Sequence, residues 1–65
     1  LPLKEAVRRL PAQLRDVIVL RYFTGLTLEE TAAALDLPRG TVSTRQRKAL
    51  ALLKLDLTVD EEGAS

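Results

Sequence analysis

Neither cysteine nor histidine occurs among the 65 residues. Disulfide and zinc frameworks are thereby excluded, together with the usual Cys/His catalytic arrangements. Aromatics are scarce: one Tyr and one Phe make 3% of a chain that is 46% apolar. The core must therefore come from Leu, Val and Ala, and with strand-forming side chains so few, packed helices are favoured over a sheet. No apolar run is long enough to span a bilayer and no signal-peptide pattern opens the chain, so no membrane insertion is expected. There is no phosphate-cradling glycine loop and no metal cluster, and the carboxylates lie on helix faces or in the tail. Catalytic, cofactor-binding and metal residues are accordingly expected to be none, and the chain does not read as an enzyme. It opens on Leu1 rather than Met and reads as a piece of something longer.

What is present is one small domain, near the size at which a single core is only marginally stable. Net charge is +1, and its distribution says more than its sum. From Arg39 to Lys54 there are five basic residues (Arg39, Arg45, Arg47, Lys48, Lys54) and no acids. From Leu28 to Asp36 there are three acids (Glu29, Glu30, Asp36) and no bases, and the tail adds Asp60, Glu61 and Glu62. A nearly neutral chain can still carry a basic face, which is what a polyanion meets.

Punctuation divides the chain into four short helices. Leu3 to Leu10 can form the first, with Leu3, Ala6, Val7 and Leu10 on one side. Pro11 stops it and suits the first turn of the next helix, where a missing N–H costs little. That second helix, roughly residues 11–23, buries Leu14, Val17 and Ile18, with Arg21 and Tyr22 continuing the stripe. Gly25 is a natural C-terminal stop. Thr27 followed by Glu30 has capping-box spacing and starts a third helix. Leu28, Thr31, Ala32 and Leu35 then fall at i, i+3, i+4 and i+7, one amphipathic face. Asp36, Leu37 and Pro38 interrupt it. A fourth helix runs from about Arg39 to Leu55 and buries Val42, Ala49, Leu50 and Leu53. From Thr58 to Ser65 the sequence turns polar and acidic without periodicity, the mark of a frayed tail. The expected fold is all-α, a small four-helix domain over residues 1–57 followed by an acidic flexible tail over 58–65.

Helix, tight turn and basic second helix form the layout of a helix-turn-helix, here at about residues 28–55, whose second helix enters the DNA major groove. At 100° per residue, Val42, Gln46, Ala49 and Leu53 cluster on one side of the fourth helix and Gly40, Ser43, Thr44, Arg47 and Lys48 on the other. Arg can donate two hydrogen bonds to guanine, small hydroxyls can reach bases or phosphates, and the absence of carboxylates avoids repulsion. Gly40 lets the backbone approach a phosphate at the positive end of the helix dipole. The same pattern also describes a solvated helix face with ordinary Arg and Lys.

The wider order of residues is more specific. Leu10-Pro11, Arg15, Val17 to Tyr22 (VIVLRY), Gly25-Leu26-Thr27, Glu30 to Ala32 (ETA) and Gly40-Thr41-Val42 follow one another at set spacings. The series resembles the fourth domain of bacterial RNA polymerase sigma factors, especially the extracytoplasmic-function group. That pattern runs L-P-x-x-x-R, L-R-Y, G-L-S/T, E-I-A and G-T-V-K-S-R, and the match covers about Leu3 to Leu53. The resemblance implies a cytoplasmic protein that binds the −35 element of promoter DNA through its fourth helix and docks on the flap of the polymerase core. An anti-sigma factor is a further implied partner.

Carried over by position, Thr44 matches the serine of K-S-R, and Arg47 and Lys48 match outward positions of the recognition helix. These three are candidates for base or adjacent phosphate contacts. Arg39 and Thr41, at the helix start, are candidates for phosphate. Ser43 joins the candidate DNA-binding set, although the family often has Lys or Arg there. Arg45 matches the family arginine but lies at the edge of the buried stripe, and is expected to reach an acid such as Glu29 or Glu30. Arg21 is expected to pair with Glu30. Ala32 and Val42 are read as helix–helix packing residues.

Other departures bear on affinity. Gln46 occupies a usually apolar position, so its amide must stay wet or find a partner. Asp36 stands where many such turns have Gly, although Asp tolerates left-handed geometry better than most residues. Leu50 replaces a residue that is often basic, and Leu55 would point outward. An exposed Leu-rich helix end suggests a protein contact. Two other readings stay open: a LuxR-type output domain, which shares the G-L-T…E-T-A…T-V layout, and a sigma-like domain acting mainly through protein–protein contact.

Overall fold

The computed structural model describes residues 2–64, with side chains described through Lys54. It is all helical: α1 spans Leu3–Arg9, α2 Ala12–Ile18, α3 Leu28–Leu35 and α4 Arg39–Ala64. A π-helical turn, Val19–Phe23, continues α2 without a break.

Proline sets the first corner. A residue before proline is pushed out of helical geometry, and Leu10 is extended at φ −66°, ψ 147°. Its N–H still closes the last turn of α1 by donating to the Val7 carbonyl. Pro11 then caps α2, its carbonyl accepting from Leu14 N at 3.0 Å and Arg15 N at 2.9 Å. Lacking an N–H costs nothing there.

At the far end of α2 the ladder widens. Thr24 N donates to the Val19 carbonyl, five residues back, and Leu26 N to Leu20, six residues back. Gly25, at φ 84°, turns the chain away. The extra residue in this turn displaces the stripe that Leu14, Val17 and Ile18 begin. Arg21 stays half-buried, whereas Tyr22 and Phe23 are 53% and 51% exposed. Tyr22 therefore does not continue the buried stripe as its spacing suggested.

Helix α3 begins with the expected capping box. Glu30 N donates to Thr27 Oγ1 at 3.1 Å, and Thr27 N donates to Glu30 Oε1 at 2.9 Å. The Thr27 backbone N–H foremost, and the Thr27 hydroxyl after it, hold the Glu30 carboxyl below its ordinary value of 4.5. Thr31 is fully buried in α3, and its hydroxyl donates to the Thr27 carbonyl at 2.9 Å, so burying it leaves no orphan. The helix ends at Asp36, which is left-handed at φ 55°, ψ 47°.

α4 is the spine of two apolar clusters. Its Val42 packs with Val17 and Ala32, flanked by Leu28, Leu35 and Leu37. Farther along, Ala49 and Leu53 pack with Ala6, Val7, Leu10 and Ile18, flanked by Leu14. Alanine on each facing helix lets the backbones approach closely. Two expected core residues lie outside: Leu3 is 49% and Leu50 41% exposed. Leu3 is the outermost residue of a seven-residue helix, and Leu50 turns away from the face shared by Ala49 and Leu53. The α4 backbone continues past the expected end near Leu55 to Ala64. Each added residue of a formed helix needs only one more backbone hydrogen bond, so extension does not require the apolar stripe. The expectation for the Leu55 side chain lies outside the described residues.

Candidate nucleic-acid interface

Two local devices aim α4. Leu37 N donates to the Ala32 carbonyl at 3.0 Å across the left-handed Asp36, closing the turn. Pro38 starts α4, its carbonyl accepting from Thr41 N at 3.0 Å and Val42 N at 3.2 Å. Because Val42 packs against α2 and α3, the opposite side of α4 must face solvent. Gly40, Thr44, Arg47 and Lys48 are exposed there, Arg39 is exposed on one flank at the helix start, and Thr41 and Ser43 are half-buried on the two flanks. All six candidates lie on one helix, within about 14 Å along its axis at 1.5 Å per residue. An α-helix of about 10–12 Å diameter fits the roughly 12 Å major groove.

Gly40 needs no internal justification: a Cβ there would meet nothing within 4 Å. The start of α4 is open to an outside group. Arg39 Nη1 lies 3.3 Å from Glu29 Oε1, and both side chains are largely exposed. Such a pair is weak and easily exchanged for a stronger anion.

The two expected arginine pairings are not formed. Arg21 donates from Nε to Gln46 Oε1 at 2.9 Å and from Nη1 to the Leu26 carbonyl at 2.6 Å, rather than to Glu30. Glu30 is already engaged by Thr27, and the widened turn carries Arg21 toward α4. This is also the partner that the Gln46 amide required. Arg45 pairs with neither Glu29 nor Glu30, because it faces the opposite flank of α4. There it lines a cleft of about 450 Å³ with Gln13, Leu14, Gly40, Thr41, Thr44 and Lys48. Gln13 gave no signal in the sequence, being an exposed polar residue of α2 with no periodicity to mark it.

A second cavity lies elsewhere. Leu3, Ile18, Tyr22, Phe23, Leu50 and Leu53 line an apolar groove of about 260 Å³. The large side chains misplaced by sequence reasoning, Leu3, Tyr22 and Leu50, all belong to it. Among the described residues no helix is long and apolar enough to cross a membrane.

The helix-turn-helix, its basic outward face and the packing behind it coincide with a family match. Residues 6–55 match the family described as sigma-70, region 4. The chain belongs to this family. The region 4 match decides between the sigma-type and LuxR-type readings in favour of the former. Among individual proteins, the chain is 39% identical over 59 residues to the RNA polymerase sigma factor SigV of Bacillus subtilis, covering 91% of this chain and 36% of that protein. It is 42% identical over 52 residues to the ECF RNA polymerase sigma factor SigD of Mycobacterium bovis, covering 80% and 24%. It is 42% identical over 55 residues to the RNA polymerase sigma-E factor of Streptomyces antibioticus, covering 85% and 31%. This region 4 chain thus spans about a quarter to a third of the length of these relatives.

Proposed function

We propose that this chain is the −35-reading DNA-binding domain of an extracytoplasmic-function sigma factor, directing RNA polymerase to promoters in the cytoplasm. One observation carries the reading: α4 presents Thr44, Arg47 and Lys48 on an exposed face, with Arg39 exposed at its start beside Glu29, while its other side is fixed by Val42, Ala49 and Leu53. Thr44, Arg47 and Lys48 reach bases or adjacent phosphates, Arg39 and Thr41 hold phosphates at the helix start, and Ser43 supplies a flank hydroxyl. The domain carries out no catalysis. It extends to about residue 57, with the acidic stretch 58–65 beyond it.

The same domain docks on the polymerase core at the flap. The apolar groove of Leu3, Ile18, Tyr22, Phe23, Leu50 and Leu53 supports this, since exposed apolar surface of this kind is characteristic of protein contacts. An anti-sigma factor would compete for the domain and occlude either face.

Selection of binding sites from a randomised duplex pool tests the reading. One short element should be enriched, and Arg47→Ala should weaken binding to it by about 1–3 kcal/mol while relaxing preference at one position. A pool that stays random through selection at low salt would overturn direct readout by this domain.

A further inference from the structure

We propose that the cleft between α2 and α4 seats a backbone phosphate of the DNA, which makes Gln13 and Arg45 a phosphate clamp on the flank of the recognition helix opposite Arg39. This rests on the promoter-reading proposal and extends the interface to α2, outside the helix-turn-helix.

The lining has the chemistry of an oxyanion site. Arg45, Lys48, Gln13, Thr41 and Thr44 all carry hydrogen-bond donors, and no carboxylate lines the cleft. An Arg or Lys donor to a phosphate oxygen is charge-assisted and roughly twice as strong as a neutral bond. Arg45 is half-buried, and neither acid expected to pair with it does so. Glu29 is beside Arg39, and Glu30 is held by Thr27. Among the described residues, the guanidinium is left facing the cleft.

Position supplies the second reason. At about 100° per residue, Thr41, Arg45 and Lys48 occupy one flank of α4, whereas Arg39, Ser43 and Gln46 occupy the other. The Arg39 flank is covered by α3 through Glu29 and by Arg21 through Gln46. On the Arg45 flank, Gln13 and Leu14 of α2 border the cleft. A helix lying in the major groove has a sugar-phosphate strand along each side. With Arg39 at one strand, the other strand runs beside the cleft that Gln13 and Arg45 both line.

The experiment compares the 65-residue chain with Gln13→Lys, Gln13→Glu and Arg45→Gln, each checked for unchanged helicity by circular dichroism, on the duplex enriched by selection. Gln13→Lys should tighten binding and steepen the plot of log affinity against log salt by about one unit, and Arg45→Gln should flatten it by about one unit. Gln13→Glu should weaken binding about tenfold at low salt. None of the three should change the preferred sequence, because phosphate contacts carry no base information. Single neutral methylphosphonates scanned along both strands should then locate one phosphate, on the strand not met by Arg39, at which Arg45→Gln costs nothing more.

Unchanged affinity and slope in both Gln13 variants, with sequence preference intact in the parent, overturn the clamp and leave the promoter reading standing. Slopes that shift as stated in a parent without sequence preference support the clamp and defeat the promoter reading. Affinity changes spread evenly over every methylphosphonate position would mean long-range attraction, and no seated phosphate.

Discussion

Arg21 on the π-helical turn donates to Gln46 on α4 at 2.9 Å, and with its other end to the Leu26 carbonyl at 2.6 Å. One guanidinium therefore ties the end of α2, the loop before α3 and α4 into a single unit. Its Cζ also lies over the Tyr22 ring, 5.8 Å from the ring centre. The first prediction concerns this tie. Arg21→Ala should cost about 1–2 kcal/mol, since it strips two part-buried acceptors of a charged donor. Gln46→Leu should cost less, because Arg21 keeps Leu26. A double-mutant cycle by urea unfolding should give a coupling of about 0.5 kcal/mol or more. Strict additivity would show that the pair contributes nothing to stability.

The Glu29–Arg39 pair predicts opposite outcomes for stability and binding. Both side chains are mostly exposed, so Glu29→Gln should change unfolding free energy by less than about 0.5 kcal/mol. Duplex affinity should rise several-fold, because Arg39 no longer leaves an anion to meet a phosphate. Fluorescence anisotropy titration at two salt concentrations measures this, and an affinity equal to that of the parent would mean that Arg39 does not touch DNA.

Asp36 holds a left-handed turn at φ 55°, a conformation that costs an L-residue roughly 1–2 kcal/mol and glycine almost nothing. Asp36→Gly should therefore stabilise the domain by up to about 1 kcal/mol, after the greater unfolded-chain entropy of glycine is offset. In a domain of this size that is a rise of roughly 4–8 °C in Tm. A fall in Tm would reveal a side-chain role for Asp36 in the turn.

Glu30 makes stability depend on acid. Its folded pKa lies below the ordinary 4.5, through the hydrogen bonds from Thr27. The unfolded chain therefore takes up the proton first. The contribution is complete above the ordinary value and is lost as pH falls through the lowered one. Tm measured from pH 7 to pH 3 should drop more steeply in the parent than in Glu30→Gln, and the two curves should converge at the acid end. Parallel curves would remove Glu30 from the cap as an ionised acceptor.

Most of the fold is local, and for that reason it is legible in the chain. Pro11 forbids helix at Leu10 by steric contact with its neighbour. Thr27 and Glu30 satisfy each other's backbone over three residues, and Asp36 is one of few residues that enter the left-handed region. The apolar spacing of Val17, Ala32, Val42 and Ala49 is enough to say which faces are buried. The outward set Thr44, Arg47 and Lys48 follows from the same periodicity, because what is not packed inward on a helix must face out.

Other features depend on residues far apart in the chain. The widened turn at Val19–Phe23 has no signature in composition, yet it turns Tyr22 out and brings Arg21 to Gln46, 25 residues away. Two arginines that the sequence allotted to Glu29 and Glu30 went elsewhere, Arg21 because the widened turn carries it to Gln46 and Arg45 because it faces the opposite flank of α4. Gln13 comes to line a cleft with the flank of α4 only once α2 and α4 pack. The sequence by itself determined the helices, their caps, the turn and the basic face, since each is decided within one or two helical turns. Only the tertiary structure decided which cations are paired, where the apolar groove opens and which side of α4 is left with a cleft. Those outcomes depend on which surfaces remain uncovered after four helices have buried two small apolar clusters.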